Sequence, residues 1–211
     1  TDGTPIYEGS NFISQTNVTQ DRSFWLRSRK ISPNIDTQIG AGTVIDAGTS
    51  SFLYCTYEGV KNQYIFTVEE LAASGLTGGP ITALKFDINS VGNYNPRLNF
   101  RIAIGTTTLS AATTAYIPYT SLSEVINNPA QQLNTGLMTF TFSTPFNWDG
   151  VSNIVVTVAS DNGDWGGSSG GVKSHTTSPS RNTYTYADGL GIQGMLDRTS
   201  GTVTSTRPNT I

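Results

Sequence analysis

The run Ser143-Thr-Pro-Phe-Asn-Trp-Asp-Gly-Val-Ser-Asn-Ile-Val-Val-Thr-Val158 constrains the fold more than any other part of the chain. Trp148-Asp149-Gly150 is a tight corner, because Asp-Gly supplies the positive φ of a sharp strand-to-strand turn and glycine has no Cβ to clash. The alternating run Ile154-Val-Val-Thr-Val158 then reads as a strand packed on both faces. By itself the corner is structural and names no chemistry.

Strand patterns recur on either side of it. Ile39-Gly-Ala-Gly-Thr43 is a turn signal followed by a short strand, and Tyr64-Ile-Phe-Thr67 reads as a strand. Residues 68–75 read as one or two helical turns, with Glu69 and Glu70 in the first turn, where the helix dipole favours them, and Gly75 at the end. Pro80-Ile-Thr-Ala-Leu-Lys-Phe-Asp-Ile88 alternates so that Leu84, Phe86 and Ile88 point inward. In Leu98-Asn-Phe-Arg-Ile-Ala-Ile104 the residues Leu98, Phe100, Ile102 and Ile104 share one face. Further strands are expected over 137–142, 182–186 and 203–206. Residues 111–135 hold a strand candidate near Tyr116 and a polar loop, and 160–177 reads as a Gly/Ser loop. Strands separated by turn signals, with one short helical turn near residues 68–74, predict an all-β fold, a β-sandwich or jelly roll, over residues 38–211. Residues 1–37 are polar and aperiodic apart from Phe24-Trp-Leu26 and read as an N-terminal arm or the tail of a preceding unit. Asn17-Val-Thr19 fits the N-glycosylation triplet.

Composition narrows the function. Charged residues are 13% of the 211, half the usual ~25%, while 36% are hydrophobic, which is enough to fold. A surface rich in Thr, Ser, Asn and Gly suits an extracellular β-protein better than a cytosolic enzyme. The net charge is −3, and basic residues cluster only in Arg27-Ser-Arg29-Lys30, which argues against nucleic acid as a partner. No apolar run reaches the ~20 residues of a membrane span. No signal-peptide pattern opens the sequence, so an exported chain is expected to be a mature form or a fragment. The single cysteine, Cys55 in Ser51-Phe-Leu-Tyr-Cys-Thr-Tyr57, excludes an internal disulfide and reads as a small buried residue.

No catalytic set assembles in the sequence. His175 is the only histidine, sits in Lys173-Ser-His-Thr-Thr-Ser178 and reads as an exposed loop or edge-strand residue. One histidine and one cysteine do not fill a zinc shell. Asp46, Asp87, Asp149 and Asp188 are scattered over turns and strand ends, with nothing pairing two of them for glycoside hydrolysis, and Asp149 reads as a corner residue bonding its own backbone. Asp161-Asn-Gly-Asp-Trp-Gly-Gly167 is the best polar cluster. Asp161 and Asp164 are candidate calcium ligands, although they lack the spacing and final Glu of an EF-hand, and an Asx-rich turn explains them as well. Trp165, Tyr94, Tyr184 and Tyr186 are candidate glycan-binding residues, whose ring faces stack on the C–H faces of sugars. Tyr184 and Tyr186 share a strand face, so cross-strand packing explains them equally, whereas Trp165 lies in a Gly-rich loop where burial is hard to arrange. Trp148 and Trp25 are expected in the core or against the arm.

Four segments in order carry a resemblance. They are Ile39-Gly-Ala-Gly-Thr43; Tyr64-Ile-Phe-Thr-Val-Glu-Glu-Leu71 with Gly79-Pro-Ile-Thr-Ala-Leu-Lys-Phe86; Phe100-Arg-Ile-Ala-Ile-Gly105; and 139–156 through the Trp-Asp-Gly corner, before a closing Arg207-Pro-Asn209. Residues 38–211 thereby resemble the all-β module found in giant cell-surface and secreted proteins of the Bacteroidota, often beside fibronectin type III-like domains. Cargo of the type IX secretion system, including gliding-motility adhesins, is typical. The resemblance implies an extracellular or cell-surface location and a non-catalytic adhesive or spacer role, and the partners expected of such a chain are surface glycans or other domains of the same chain. It carries over no catalytic residue. Two alternatives stand beside it: a carbohydrate-binding module, and a self-assembling structural subunit in which residues 1–36 add a strand to a neighbour's sheet edge.

Overall fold

The Trp-Asp-Gly corner forms as expected and carries the chain from one β-sheet to another. It joins β6 (Gly136–Trp148) to β7 (Asn153–Asp161). Gly150 adopts φ +80°, and a Cβ there would stand 2.9 Å from the Gly78 nitrogen. Asp149 Oδ1 accepts the N–H groups of Val151 (2.9 Å) and Ser152 (2.8 Å), the self-bonding corner read from the sequence. Trp148 is buried and donates from Nε1 to the Ser152 carbonyl at 2.9 Å.

The computed structural model describes residues 35–211, which form one unit. The arm expected over 1–37 falls, as far as residue 34, outside the described residues, and with it Trp25 and the Asn17 triplet. The remaining strands are β1 (Val44–Asp46), β2 (Gly59–Phe66), β3 (Gly79–Ser90), β4 (Arg97–Thr107), β5 (Ser123–Gln131), β8 (Gly171–Thr176), β9 (Asn182–Ala187), β10 (Thr202–Thr204) and β11 (Thr206–Pro208). One sheet runs β1-β8-β3-β6, with β11 also on β8, and the other runs β10-β9-β2-β7-β4-β5. All the strand pairs are antiparallel. The two sheets make the expected all-β sandwich. Phe86 and Phe140 of the first sheet meet Phe100 of the second in the core, with the Phe100 and Phe140 rings stacked at 5.5 Å.

Leu84, Phe86 and Ile88 face inward as predicted. β7 is buried along nearly its whole length, in keeping with a strand packed on both faces. The predicted helical turn is α1 (Val68–Ala73), started by a Thr67/Glu70 capping box and followed by Gly75 at φ +93°.

Several local expectations need correction. Leu98 is exposed instead of sharing the face of Phe100, because Asn99 adopts φ 50° and breaks the alternation, and Arg97 is buried. The strand in 111–135 is β5, while Ala115 beside Tyr116 makes only an isolated bridge to Ser200. The Gly/Ser loop of 160–177 is interrupted by β8. Residues 203–206 are not one strand: β10 belongs to one sheet and β11 to the other, with Ser205 between them. A second helix, α2 (Gly191–Leu196), covers β2 and β7.

Candidate functional site

Three segments are knitted together beside the ends of β2, β4 and β7. The Gly166 N–H donates to the Cys55 carbonyl (2.9 Å) and the Gly170 N–H to that of Leu53 (3.0 Å). Asn93 and Ser168 exchange two bonds, Asn93 N–H to Ser168 O (2.9 Å) and Ser168 N–H to Asn93 Oδ1 (2.8 Å). Asn162 donates its N–H to the Glu58 carbonyl and accepts the Leu98 N–H on Oδ1 at 3.2 Å. The 161–170 loop is therefore fixed to both the 53–58 and the 93–98 segments. Glycine is required within it: Gly163, Gly166 and Gly167 all have positive φ.

On this frame lies a row of tyrosines. Tyr186 stands 4.4 Å from Tyr57, 5.4 Å from Tyr54 and 6.4 Å from Tyr184, centroid to centroid, and it is stacked on Tyr184 at 26°. Strand alternation places Tyr184 and Tyr186 on one face of β9, and the 51–57 segment lays Tyr54 and Tyr57 against them. All four tyrosines are half-buried. The Tyr184 hydroxyl accepts from Thr49 Oγ1 at 3.3 Å. Trp165 sits on the loop bonded to Cys55 and is 61% exposed, the environment expected for it. Tyr94 is half-buried, and its hydroxyl ionises less readily than usual through desolvation and the Asp164 carboxylate beside it. The four aromatic candidates thus fall on segments that the fold joins. Tyr54 and Tyr57 were missed, although their three-residue spacing beside Cys55 was visible.

Bonded to the backbone of Tyr54 is Arg97, among the largest fully buried side chains. Its Nη2 donates to the Tyr54 carbonyl at 3.2 Å, while Nε and Nη1 have no partner among the described residues. Burial lowers its pKa to about 10, with the Cys55 thiol and Tyr94 hydroxyl acting in the opposite direction. Among the described residues no carboxylate is paired with it. Asn162 Nδ2 and Ser160 Oγ are also buried without partners. Nothing in the sequence sets Arg97 apart from Arg101 of the same strand.

The other candidates have local partners. Asp161 Oδ1 accepts the Gly163 N–H at 3.0 Å, and burial, then Glu58, raises its pKa. Asp164 Oδ1 accepts the Trp165 N–H at 2.8 Å. Among the described residues no group of three or more His, Cys, Asp or Glu side chains gathers as a metal shell. Asp87 pairs with Lys173 at 2.7 Å, Asp46 accepts from Ser50 and Gly48, and Asp188 accepts the Glu58 N–H. Cys55 is buried, as read from the sequence.

His175 is neither exposed nor in a loop. It lies half-buried on β8, with Nδ1 3.0 Å from Asn209 Oδ1 and Nε2 3.1 Å from Arg207 Nη2. The guanidinium only donates, so Nε2 accepts and Nδ1 carries the proton. Burial and then Arg207 hold its pKa below the usual value. The expectation failed because β8 is paired on both sides and brings His175 opposite Arg207.

No family model, curated protein or solved structure matches this chain.

Proposed function

We propose that this chain is a non-catalytic module acting outside the cell in adhesion, as part of a large surface protein, and that it binds a glycan on the Tyr54–Tyr57–Tyr186–Tyr184 row and Trp165. The tyrosine row carries this reading. Half-buried rings packed on one another, two of them on β9, offer pre-ordered flat faces for the C–H groups of sugar rings, and little side-chain entropy remains to be lost on binding. The sparse charge and the resemblance to Bacteroidota surface modules support the location and the adhesive role. The local engagement of Asp87, Asp149, Asp188 and His175 supports the absence of catalysis, since each is committed to a hydrogen bond or ion pair that shapes the fold.

A glycan array read with the parent, Trp165→Ala and Tyr186→Ala tests the proposal. Saturable binding by the parent, weakened at least ~10-fold (~1.4 kcal/mol) in either variant, is the expected result. A blank array for a folded parent overturns the glycan reading and leaves a spacer or protein-binding role.

A further inference from the structure

A buried cation without a counter-charge is costly, because desolvation of the ion is compensated only by a paired charge and a full set of hydrogen bonds. Arg97 has neither. Of the five N–H donors a guanidinium carries, those on Nε and Nη1 are unused, and no carboxylate among the described residues is paired with it. Tyr54, Cys55 and Tyr94 lie near it, with the Asp164 carboxylate beside Tyr94, and the loop bearing Trp165 is bonded to this same group through Cys55. The unmatched cation and the aromatic row therefore share the Tyr54–Cys55 segment. Asn162, whose Oδ1 holds the N–H of the residue next to Arg97, has an unused Nδ2 donor as well.

We propose that the glycan is acidic and that Arg97 binds its carboxylate or sulfate through a free donor on Nε or Nη1, with the 163–169 loop moving to admit it. This rests on the glycan reading and names the ligand class. Uronic acids and sulfated sugars share the required chemistry, an anion on a ring whose C–H face stacks on an aromatic side chain. Arginine suits either, because its permanently charged guanidinium makes charge-assisted hydrogen bonds to carboxylate and sulfate oxygens alike. Admitting the anion would open the bonds that Gly166 and Ser169 make to Cys55 and Ser168 makes to Asn93, and the loop's glycines allow the backbone to rearrange.

Calorimetric titration of the folded protein with galacturonate, glucuronate and mannuronate tetrasaccharides, their neutral methyl esters and a sulfated galactan tetrasaccharide tests this. The expected result is at least a 10-fold preference for one acid over its methyl ester, lost in Arg97→Met. Preference for the sulfated sugar with the same loss supports the anionic class and assigns the anion to sulfate. Equal binding of acids and esters overturns the acidic-ligand inference while the glycan reading survives, and binding of no sugar here or on the array overturns both. Without ligand, Arg97→Met should melt at or above the parent temperature, since it removes an uncompensated buried charge. A melting point several degrees lower, together with no acid preference in the parent, marks Arg97 as purely structural and overturns the inference. The acid-to-ester ratio of the parent decides the matter even if the variant does not fold.

Discussion

Arg207 and Glu70 form a two-pronged ion pair, Nη2 to Oε1 at 2.8 Å and Nη1 to Oε2 at 3.1 Å, that fastens β11 to the first turn of α1. Arg207 is fully buried, lies 4.5 Å over the Phe66 ring and also donates to the Ile65 carbonyl. Glu70 additionally pairs with Arg181 and closes the capping box of α1. Removing the carboxylate strands a buried guanidinium, so Glu70→Ala should lose about 3–5 kcal/mol. Urea unfolding measures this, and a loss under ~1 kcal/mol would show that water replaces the pair.

His175 makes this cluster pH-sensitive. Burial and the facing Arg207 depress its folded pKa below the ordinary 6.5, although Asn209 and Glu70 act the other way. Folding then favours the neutral ring. The stabilisation is complete above the unfolded pKa and is lost as pH falls below about 6.5 through the folded value. Melting temperature followed from pH 7.5 to 5 should fall in the parent and fall less in His175→Gln.

Lys61 gives a second pH dependence, in alkali. Its Nζ donates to the carbonyls of Leu196 (2.7 Å) and Arg198 (3.0 Å) and lies over the Tyr116 ring. Burial lowers its pKa to about 8, against an opposing effect of Asp197. Because the folded pKa is depressed, this contribution grows as pH rises from about 8 toward the unfolded value of 10.5 and is absent below. Stability of the parent minus that of Lys61→Met, measured from pH 7 to 10, should therefore increase with pH.

At the Trp-Asp-Gly corner, Gly150→Ala faces two obstacles, a φ of +80° and a Cβ position 2.9 Å from the Gly78 nitrogen. The left-handed conformation alone costs an L-residue about 1–2 kcal/mol. Chemical denaturation should show at least that loss, with the larger part of any excess coming from displacement of the 78–79 backbone.

The corner, β3 and α1 were legible because each is written locally: Asp-Gly for a turn, alternation for a half-buried strand, Thr67 and Glu70 for a cap. β5 was not, because it is a sheet edge of mainly polar residues with Pro129 in it, and an edge strand need not alternate strongly. β8 lay hidden among Gly and Ser residues, since its strand character comes from the neighbours it pairs with. α2 has no side-chain cap to announce it. Likewise Trp165 and Tyr186 were recognisable as candidates, but their relation to Tyr54, Tyr57 and Arg97 is tertiary and depends on the loop bonds to Cys55 and Leu53.

The pairing of Ile39 with Thr210 has a mechanical consequence. These residues bond reciprocally, at 2.7 and 3.0 Å, as antiparallel neighbours. The path into the sandwich and the path out of it therefore run side by side and open toward the same end. Within a longer polypeptide under tension, such a unit would lengthen the line by little more than one strand separation, about 4.8 Å, and the load would peel the two end segments apart bond by bond.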